Sequence, residues 1–231
     1  MRFRPRRFNT IVGALFMIGS TGFALGSVPA YATGVGATAD AATFFISSIF
    51  FTLASFGQLV QAQSPALAPT KAARGEERQP TRLRAWLPHD RDWLAAVTQF
   101  PGTLFFNSTT ALALIQGLTA QQHDRVVWRP DLYGSLLFLV SSTYAVLALG
   151  PFLSWHPGSP FWRIAWLNMI GSIAFMASAI GAYVLPKTGV EVSPAWANGG
   201  TFAGAVCFFA GAWLMIPAWK TAARAATSSA R

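Results

Sequence analysis

Residues 134–142 read GSLLFLVSS, and five other nine-residue segments follow the same pattern. Each segment begins with two small residues, has phenylalanine or methionine at its fifth position and ends with two small residues. The other copies are GALFMIGST at 13–21, SSIFFTLAS at 47–55, GTLFFNSTT at 102–110, GSIAFMASA at 171–179 and GAVCFFAGA at 204–212. Such self-similarity predicts an internal repeat.

The spacing within each segment places small and aromatic residues on one face of a helix. At 100° per residue, the first, fifth and eighth positions fall close together around the helix axis. Small residues allow helices to approach closely in a membrane, where little hydrophobic force drives helix association. We therefore expect five phenylalanines to pack as knobs into notches formed by glycine, alanine and serine on a neighbouring helix. The alternative is that the small residues line a narrow path. The phenylalanines are Phe51, Phe106, Phe138, Phe175 and Phe208.

The composition around these segments is typical of a membrane protein. Of 231 residues, 53% are hydrophobic and only 11% are charged, whereas a soluble domain has about 25% charged residues. The mean hydropathy is +0.41 and the net charge is +9. Nucleic-acid binders are polar as well as basic, so this combination argues against a nucleic-acid partner.

Six apolar stretches are long enough to cross a bilayer core about 30 Å thick. They predict an all-α, polytopic bundle of six spans arranged as three tandem helical hairpins, in which a cytoplasmic linker separates the first hairpin from the second. The predicted spans are 9–30, 40–62, 93–118, 131–155, 160–185 and 196–218. The predicted units are a first hairpin at 1–62, the linker at 63–92, a second hairpin at 93–155, a third hairpin at 156–219 and a cytoplasmic tail at 220–231.

The distribution of basic residues predicts which way the spans run. With the N-terminus inside, only Arg125, Arg129 and Lys187 of the 17 basic residues fall in outside loops. An excess of Lys and Arg on the cytoplasmic side is the general rule for such proteins. We therefore expect a multi-pass protein of the bacterial cytoplasmic (inner) membrane with both termini inside.

A second interpretation of the N-terminus stays open. Residues 1–32 also resemble a secretory signal, with a basic start, an apolar middle and Ala30-Tyr31-Ala32 as a cleavage site. Cleavage there would leave five spans and an outside N-terminus.

Several blocks of the chain resemble a bacterial family. The paired G-S-x-x-F-x-x-x-S pattern looks like that of the YrhK-like membrane proteins, and the blocks GTLFFNST, VWRPD and NMIGSIAFMASAIGAYVLP look like their longer actinobacterial form. The likeness extends over roughly residues 82–217. It implies an integral membrane protein, and since the family has no established activity, it supplies no catalytic or binding residue.

The predicted spans contain no ionisable side chain at hydrocarbon depth, which argues against a proton-coupled pump. Asp40, Asp92 and Asp131 stand at span starts, where the expected role is helix N-capping. The best candidates for a polar path are Asn107 and Asn168. The alternative for these two residues is hydrogen bonding between helices, which also accounts for Gln58 and Gln99.

No enzyme chemistry is predicted. His89, His123 and His156 fall in separate loops without helical ligand spacing, and Cys207 is the only thiol, so neither a metal site nor a cofactor is expected. No combination of nucleophile, base and metal occurs at any depth.

The sequence thus favours a non-enzymatic integral membrane protein, most plausibly a packing or assembly component. Its expected partners are membrane lipids and a second copy or membrane partner bound through small-residue faces. The alternative is a channel or transporter for a small neutral solute, which should contain a hydrated cavity lined by Asn107, Asn168 and the motif serines.

Overall fold

The computed structural model describes residues 5–64, 67, 81–115 and 117–229, with side chains up to Trp219. This part of the chain is helical, apart from connecting segments and one isolated antiparallel bridge between Val184 and Glu191. Half of the predicted linker at 63–92 (residues 65–66 and 68–80), and the side chains of the predicted tail at 220–231, lie outside the described residues. The helices are α1 (Pro5–Gly26), α2 (Pro29–Val35), α3 (Ala37–Gln63), α4 (Arg91–Leu112), α5 (Ala120–His123), a π-helical turn (Asp124–Trp128), α6 (Arg129–Leu147), α7 (Pro160–Gly181) and α8 (Pro194–Ser229).

Four of these helices are long and apolar enough to cross a membrane, so the structure is compatible with a multi-pass membrane protein. They are α1, α3, α7 and the Pro194–Trp219 part of α8. Four of the six predicted spans meet this criterion, and α4 and α6 do not. Helices α4 and α6 are long enough but less apolar, because α4 carries Gln99, Asn107 and four threonines, and α6 has Arg129 and Asp131 in its first turn.

Local sequence explains where several helices begin. Asp90 accepts a hydrogen bond from the Trp93 amide at the start of α4, and Ser159 accepts one from the Trp162 amide at the start of α7. The predicted 131–155 span ends eight residues early, at Leu147, shortly before Gly150 and Pro151. Gly36 separates α2 from α3 with a φ of 85°, a conformation that favours glycine.

The six longer helices of the described chain form a closed ring in chain order. Helix α1 packs on α3, α3 on α4, α4 on α6, α6 on α7, α7 on α8, and α8 back on α1. The most extensive contacts join α1 with α3, α4 with α6 and α7 with α8. One end of the ring therefore holds the starts of α1, α4 and α7, and the other end holds the starts of α3, α6 and α8. We call these the first end and the second end.

At the centre of the ring of helices, phenylalanine side chains lie against glycines of the facing helix. A Cβ built on Gly102 would lie 2.9 Å from the Phe138 ring, and one built on Gly134 would lie 3.1 Å from the Phe106 ring. Helices α7 and α8 show the same reciprocal arrangement. There, a Cβ on Gly171 would lie 3.0 Å from Phe208 and one on Gly204 would lie 2.5 Å from Phe175. The predicted packing of these phenylalanines into glycine notches is confirmed, whereas the internal repeat itself stays a prediction.

Side-chain hydrogen bonds join each pair of neighbours around the ring. Examples are Ser48 with Thr110 at 3.0 Å between α3 and α4, and Ser142 with Ser172 at 2.8 Å between α6 and α7. Each such bond is worth roughly 0.6–2 kcal/mol in a membrane. The remaining pairs are joined by Gln61 to Asn9, Ser141 to Ala95, Ser178 to Thr201, and Asn9 to Met215.

The outer surface of the ring is apolar on all six helices. The exposed side chains are large and hydrophobic, as expected for a surface in contact with lipid. They include Ile18 on α1, Ile46 and Leu53 on α3, Leu104 on α4, Leu136 and Val140 on α6, Ile170 and Ile173 on α7, and Phe202 and Val206 on α8.

Adjacent glycines on α8 offer a matched test of this packing. A Cβ on Gly200 would lie 2.6 Å from the Ala174 carbonyl oxygen and 2.8 Å from the Ser178 nitrogen, whereas a Cβ on Gly199 would contact nothing within 4 Å. We expect Gly200→Ala to destabilise the fold by about 1–3 kcal/mol through overpacking against backbone. Gly199→Ala should leave stability unchanged or slightly raised because alanine is the better helix former. Thermal unfolding in detergent measures both, and equal midpoints would contradict the packing described here.

Candidate functional site

Two cavities lie inside the ring, one toward each end. The cavity at the second end has a volume of about 560 Å³ and receives side chains from every helix of the ring. The cavity at the first end is smaller, with a volume of about 210 Å³. We call them the acidic cavity and the amide cavity after the side chains that line them.

The amide cavity is lined by carboxamides that already bind one another. The Gln99 amide donates to the Gln58 side-chain oxygen at 3.1 Å, and Ser141 donates to the Gln99 oxygen at 3.3 Å. In the same lining, Asn9 donates to the Met215 carbonyl at 2.8 Å and Gln61 donates to Asn9 at 3.4 Å. The predicted interhelical hydrogen bonding of Gln58 and Gln99 is therefore confirmed.

Asn168 borders the amide cavity and its carboxamide has no hydrogen-bond partner among the described side chains. It lies opposite Gly211, where a Cβ would come within 2.9 Å of the Asn168 oxygen. This side chain is thus available to a solute that enters the cavity.

Asn107 is placed differently. It borders neither cavity, and its oxygen accepts a hydrogen bond from Thr52 at 3.0 Å across the contact between α3 and α4. The structure therefore does not bring the two predicted path residues together. Of the two roles considered for Asn107, the contact with Thr52 matches interhelical bonding.

The acidic cavity contains three carboxylates, from Asp40, Asp131 and Glu191. No lysine or arginine of the described chain lines it, although the protein carries 17 basic residues and only 8 acidic ones. These carboxylates form no hydrogen bond or ion pair through their side chains within the described residues. The Oδ1 atom of Asp40 and the Nδ1 atom of His123 are enclosed and unpartnered.

The N-capping role expected for the aspartates at span starts is wrong for Asp40 and Asp131. Helix α3 begins after Gly36 and α6 continues from the π-helical turn, and neither helix has a side-chain cap. At α4 the cap is Asp90, and Asp92 lies one residue inside the helix. Because α3 begins earlier than predicted and α6 extends a helix already formed, the carboxylates of Asp40 and Asp131 are left free to face the cavity.

Burial shifts the pKa values of two groups of this cavity, Glu191 and His123, which lie between the long helices. Desolvation raises the pKa of Glu191 above its ordinary value. Desolvation also lowers the pKa of His123, an effect that neighbouring Asp124 partly opposes. His123 is therefore held toward its neutral form, so it supplies little positive charge to offset the carboxylates.

A layer of aromatic rings separates the two cavities. This phenylalanine plug consists of Phe51, Phe106, Phe138, Phe175 and Phe208, of which Phe106 and Phe175 also form the floor of the acidic cavity. Neighbouring ring centroids lie close together, for example 5.1 Å apart for Phe106 and Phe138 and 5.3 Å apart for Phe175 and Phe208.

The order of residues along single helices fixes the position of the plug. On α6, Ser135 borders the acidic cavity, Phe138 belongs to the plug and Ser141 borders the amide cavity. At 1.5 Å per residue, the two serines are separated by about 9 Å along the helix. Phe138, 1% exposed, contacts the other four rings of the plug.

In the sequence, Asp40, His123 and Asp131 were considered singly and not as one site with Glu191, because the four residues come from three separate segments of the chain. The available signal was the sorting of charge by side, since Asp40, His123, Asp131 and Glu191 all belong to the predicted outside ends of spans. Within the described chain, no group of three or more His, Cys, Asp or Glu is arranged to hold a metal ion.

The chain matches no family model, no curated protein and no solved structure. The resemblance to the YrhK-like family therefore stays a prediction.

The contrast between the two asparagines can be tested directly. We expect Asn107→Leu to lower stability by roughly 0.6–2 kcal/mol because it removes the bond from Thr52. Asn168→Leu should change stability little, since it removes no such bond. Thermal unfolding of both variants in detergent is the measurement. Thr52→Val serves as the control, and additive losses in the Thr52→Val, Asn107→Leu double variant would contradict a direct contact.

Proposed function

We propose that this protein is a non-enzymatic, six-span protein of the bacterial cytoplasmic membrane that transports a small polar solute between its two cavities. The single observation that carries the proposal is the pair of cavities at opposite ends of one ring, separated by the phenylalanine plug. In this proposal the structure is a closed state, because aromatic rings fill the space between the cavities.

Six spans are supported by the way α4 and α6 complete the ring. With 22 and 19 residues they extend about 33 and 28 Å, close to the thickness of a bilayer core. They pack between the strongly apolar helices α3 and α7, and they also expose hydrophobic side chains on the outer surface. A ring with four helices in lipid and two in water would have a wetted apolar surface.

The orientation is supported by the charges at the two ends. The first end holds Arg6, Arg7, Arg91 and Arg163, while the second end holds Arg125, Arg129 and Lys187 together with the acidic cavity. The positive-inside rule then places the first end and both termini in the cytoplasm. The acidic cavity opens to the outside in this arrangement, and the amide cavity opens to the inside.

A packing or assembly component is the second candidate function. The observation that favours it is the dense plug, since the two cavities are separate and the small-residue faces of the described helices pack within the chain. The two candidates differ in whether water and solutes reach both cavities from their respective sides.

Cysteine accessibility distinguishes these candidates. In a Cys207→Ser background, Ala41→Cys places a thiol in the acidic cavity and Ala145→Cys places one in the amide cavity. We expect a membrane-impermeant thiol reagent to label position 41 only from outside and position 145 only from inside. Val140→Cys, on the outer apolar surface, should resist the reagent from both sides. Failure to label positions 41 and 145 from any side would favour the packing component.

Removal of the central plug ring should connect the cavities. In the Ala145→Cys background, Phe138→Ala should make position 145 reactive from outside, because the ring that contacts all other plug rings is gone. Phe56→Ala is the matched control, since Phe56 is exposed on the outer surface. Phe138→Leu preserves bulk and should keep position 145 protected. Outside labelling that is identical in all three variants would contradict the plug.

A further inference from the structure

We propose that the acidic cavity is a binding site for a small organic cation, such as a protonated or quaternary amine with an apolar body. As a statement about the transported substrate, this inference rests on the proposed function, whereas the binding itself does not. It replaces the neutral solute that the sequence suggested.

The size of the acidic cavity fits a small molecule. Its volume of about 560 Å³ lies within the range of about 300–1,000 Å³ that is usual for such sites. A bare metal ion would occupy a small part of this space. The described carboxylates and histidine also do not converge as metal ligands.

Basic side chains do not line the cavity in the described part of the chain. Three carboxylates border it without a lysine or arginine, and the His123 imidazole is held toward its neutral form. Unpaired carboxylates are costly to enclose, because burial removes water without supplying a partner. A bound cation supplies a partner for the carboxylates that it approaches.

Asp131 is the best candidate among the three carboxylates to bind a cation. It borders the cavity from the first turn of α6, and its side chain is half-buried. It has no partner in the described chain. The enclosed Oδ1 atom of Asp40, on helix α3, also lacks a partner. Acidic groups that stay unpaired inside a membrane protein mark paths or sites for cations.

Aromatic side chains provide the second half of the recognition. Phe23, Phe44, Phe106, Phe175 and Trp128 all line the cavity. Aromatic faces attract ammonium groups through their quadrupoles, and they accommodate the apolar substituents that distinguish an organic cation from a hydrated metal ion. Carboxylates above an aromatic floor therefore select for charge and for apolar bulk together.

Binding to the purified full chain in detergent tests this inference. Choline is the cationic probe, and 3,3-dimethyl-1-butanol is the neutral probe of the same shape. We expect choline to raise the unfolding midpoint and to bind measurably in calorimetry, while the neutral probe does neither. Equal effects of the two probes, or no choline binding, would overturn the proposal.

Two isosteric variants locate the site. Asp131→Asn and Glu191→Gln should each weaken choline binding by about tenfold or more, since each removes one charge next to the ligand. Asp124→Asn is the matched control, because Asp124 lies at the same end, forms an ion pair with Arg129 at 2.8 Å and does not line the cavity. Unchanged affinity in both cavity variants, with unaltered unfolding midpoints without ligand, would also overturn the proposal.

The outcome for transport is separate from the outcome for binding. Choline that binds to the purified protein without the sided thiol labelling described above would support the cation site and refute transport. Sided labelling without any preference of choline over its neutral analogue would support transport and refute the cation site.

Discussion

Contacts between phenylalanine rings and facing glycines are the interaction on which the rest of this structure depends. Lipid offers helices little hydrophobic reason to associate, so the ring must be held by close packing and by polar contacts. The reciprocal pairs supply close packing because a ring fills the space that a side chain at Gly102, Gly134, Gly171 or Gly204 would occupy. Hydrogen bonds such as the one between Ser142 and Ser172 add the polar contacts. The ring-in-glycine pairs lie in the middle of the helices, and this placement leaves room at the two ends.

The cavities follow from the same arrangement. Six helices that surround one axis leave a central space, and five rings are enough to fill it only at one level. Toward the first end the space is bordered by carboxamides that satisfy one another. Toward the second end it is bordered by carboxylates that have no hydrogen-bond or ion-pair partner within the described chain. The fold therefore supplies two chambers of similar origin and different chemistry.

Much of the fold could be predicted from the sequence because the signals were local. Helical periodicity, small residues at fixed spacing and the knob phenylalanines need only one helix to be recognised. The site needed contacts between helices. Asn107 and Asn168 looked equivalent as lone amides in apolar segments, but Asn107 is bonded to Thr52 on the neighbouring helix whereas Asn168 borders the amide cavity. Asp40 and Asp131 looked like caps because a helix start that is predicted from composition carries an error of a few residues. An error of that size decides whether the carboxylate can bond to a backbone amide at the helix start or lies at the cavity.

The chemistry of the two chambers also constrains how anything could pass between them. A cation in the acidic cavity has the aromatic floor beneath it, and crossing about 9 Å of closely packed rings without water or a counter-charge would cost several kcal/mol. A single phenyl ring of the plug cannot move aside by itself, because Phe138 contacts the other four phenyl rings. Opening requires neighbouring helices to separate. The two most extensive contacts in the ring join α4 with α6 and α7 with α8. Both contain the reciprocal packing of phenyl rings against glycines. The contact between α6 and α7 is the least extensive in the ring and lacks that packing. It combines serine hydrogen bonds, which can re-form with water, with a small apolar cluster around Val146 and Met169. Movement of one helical pair against the next, at that contact, is therefore the least costly way to open the plug.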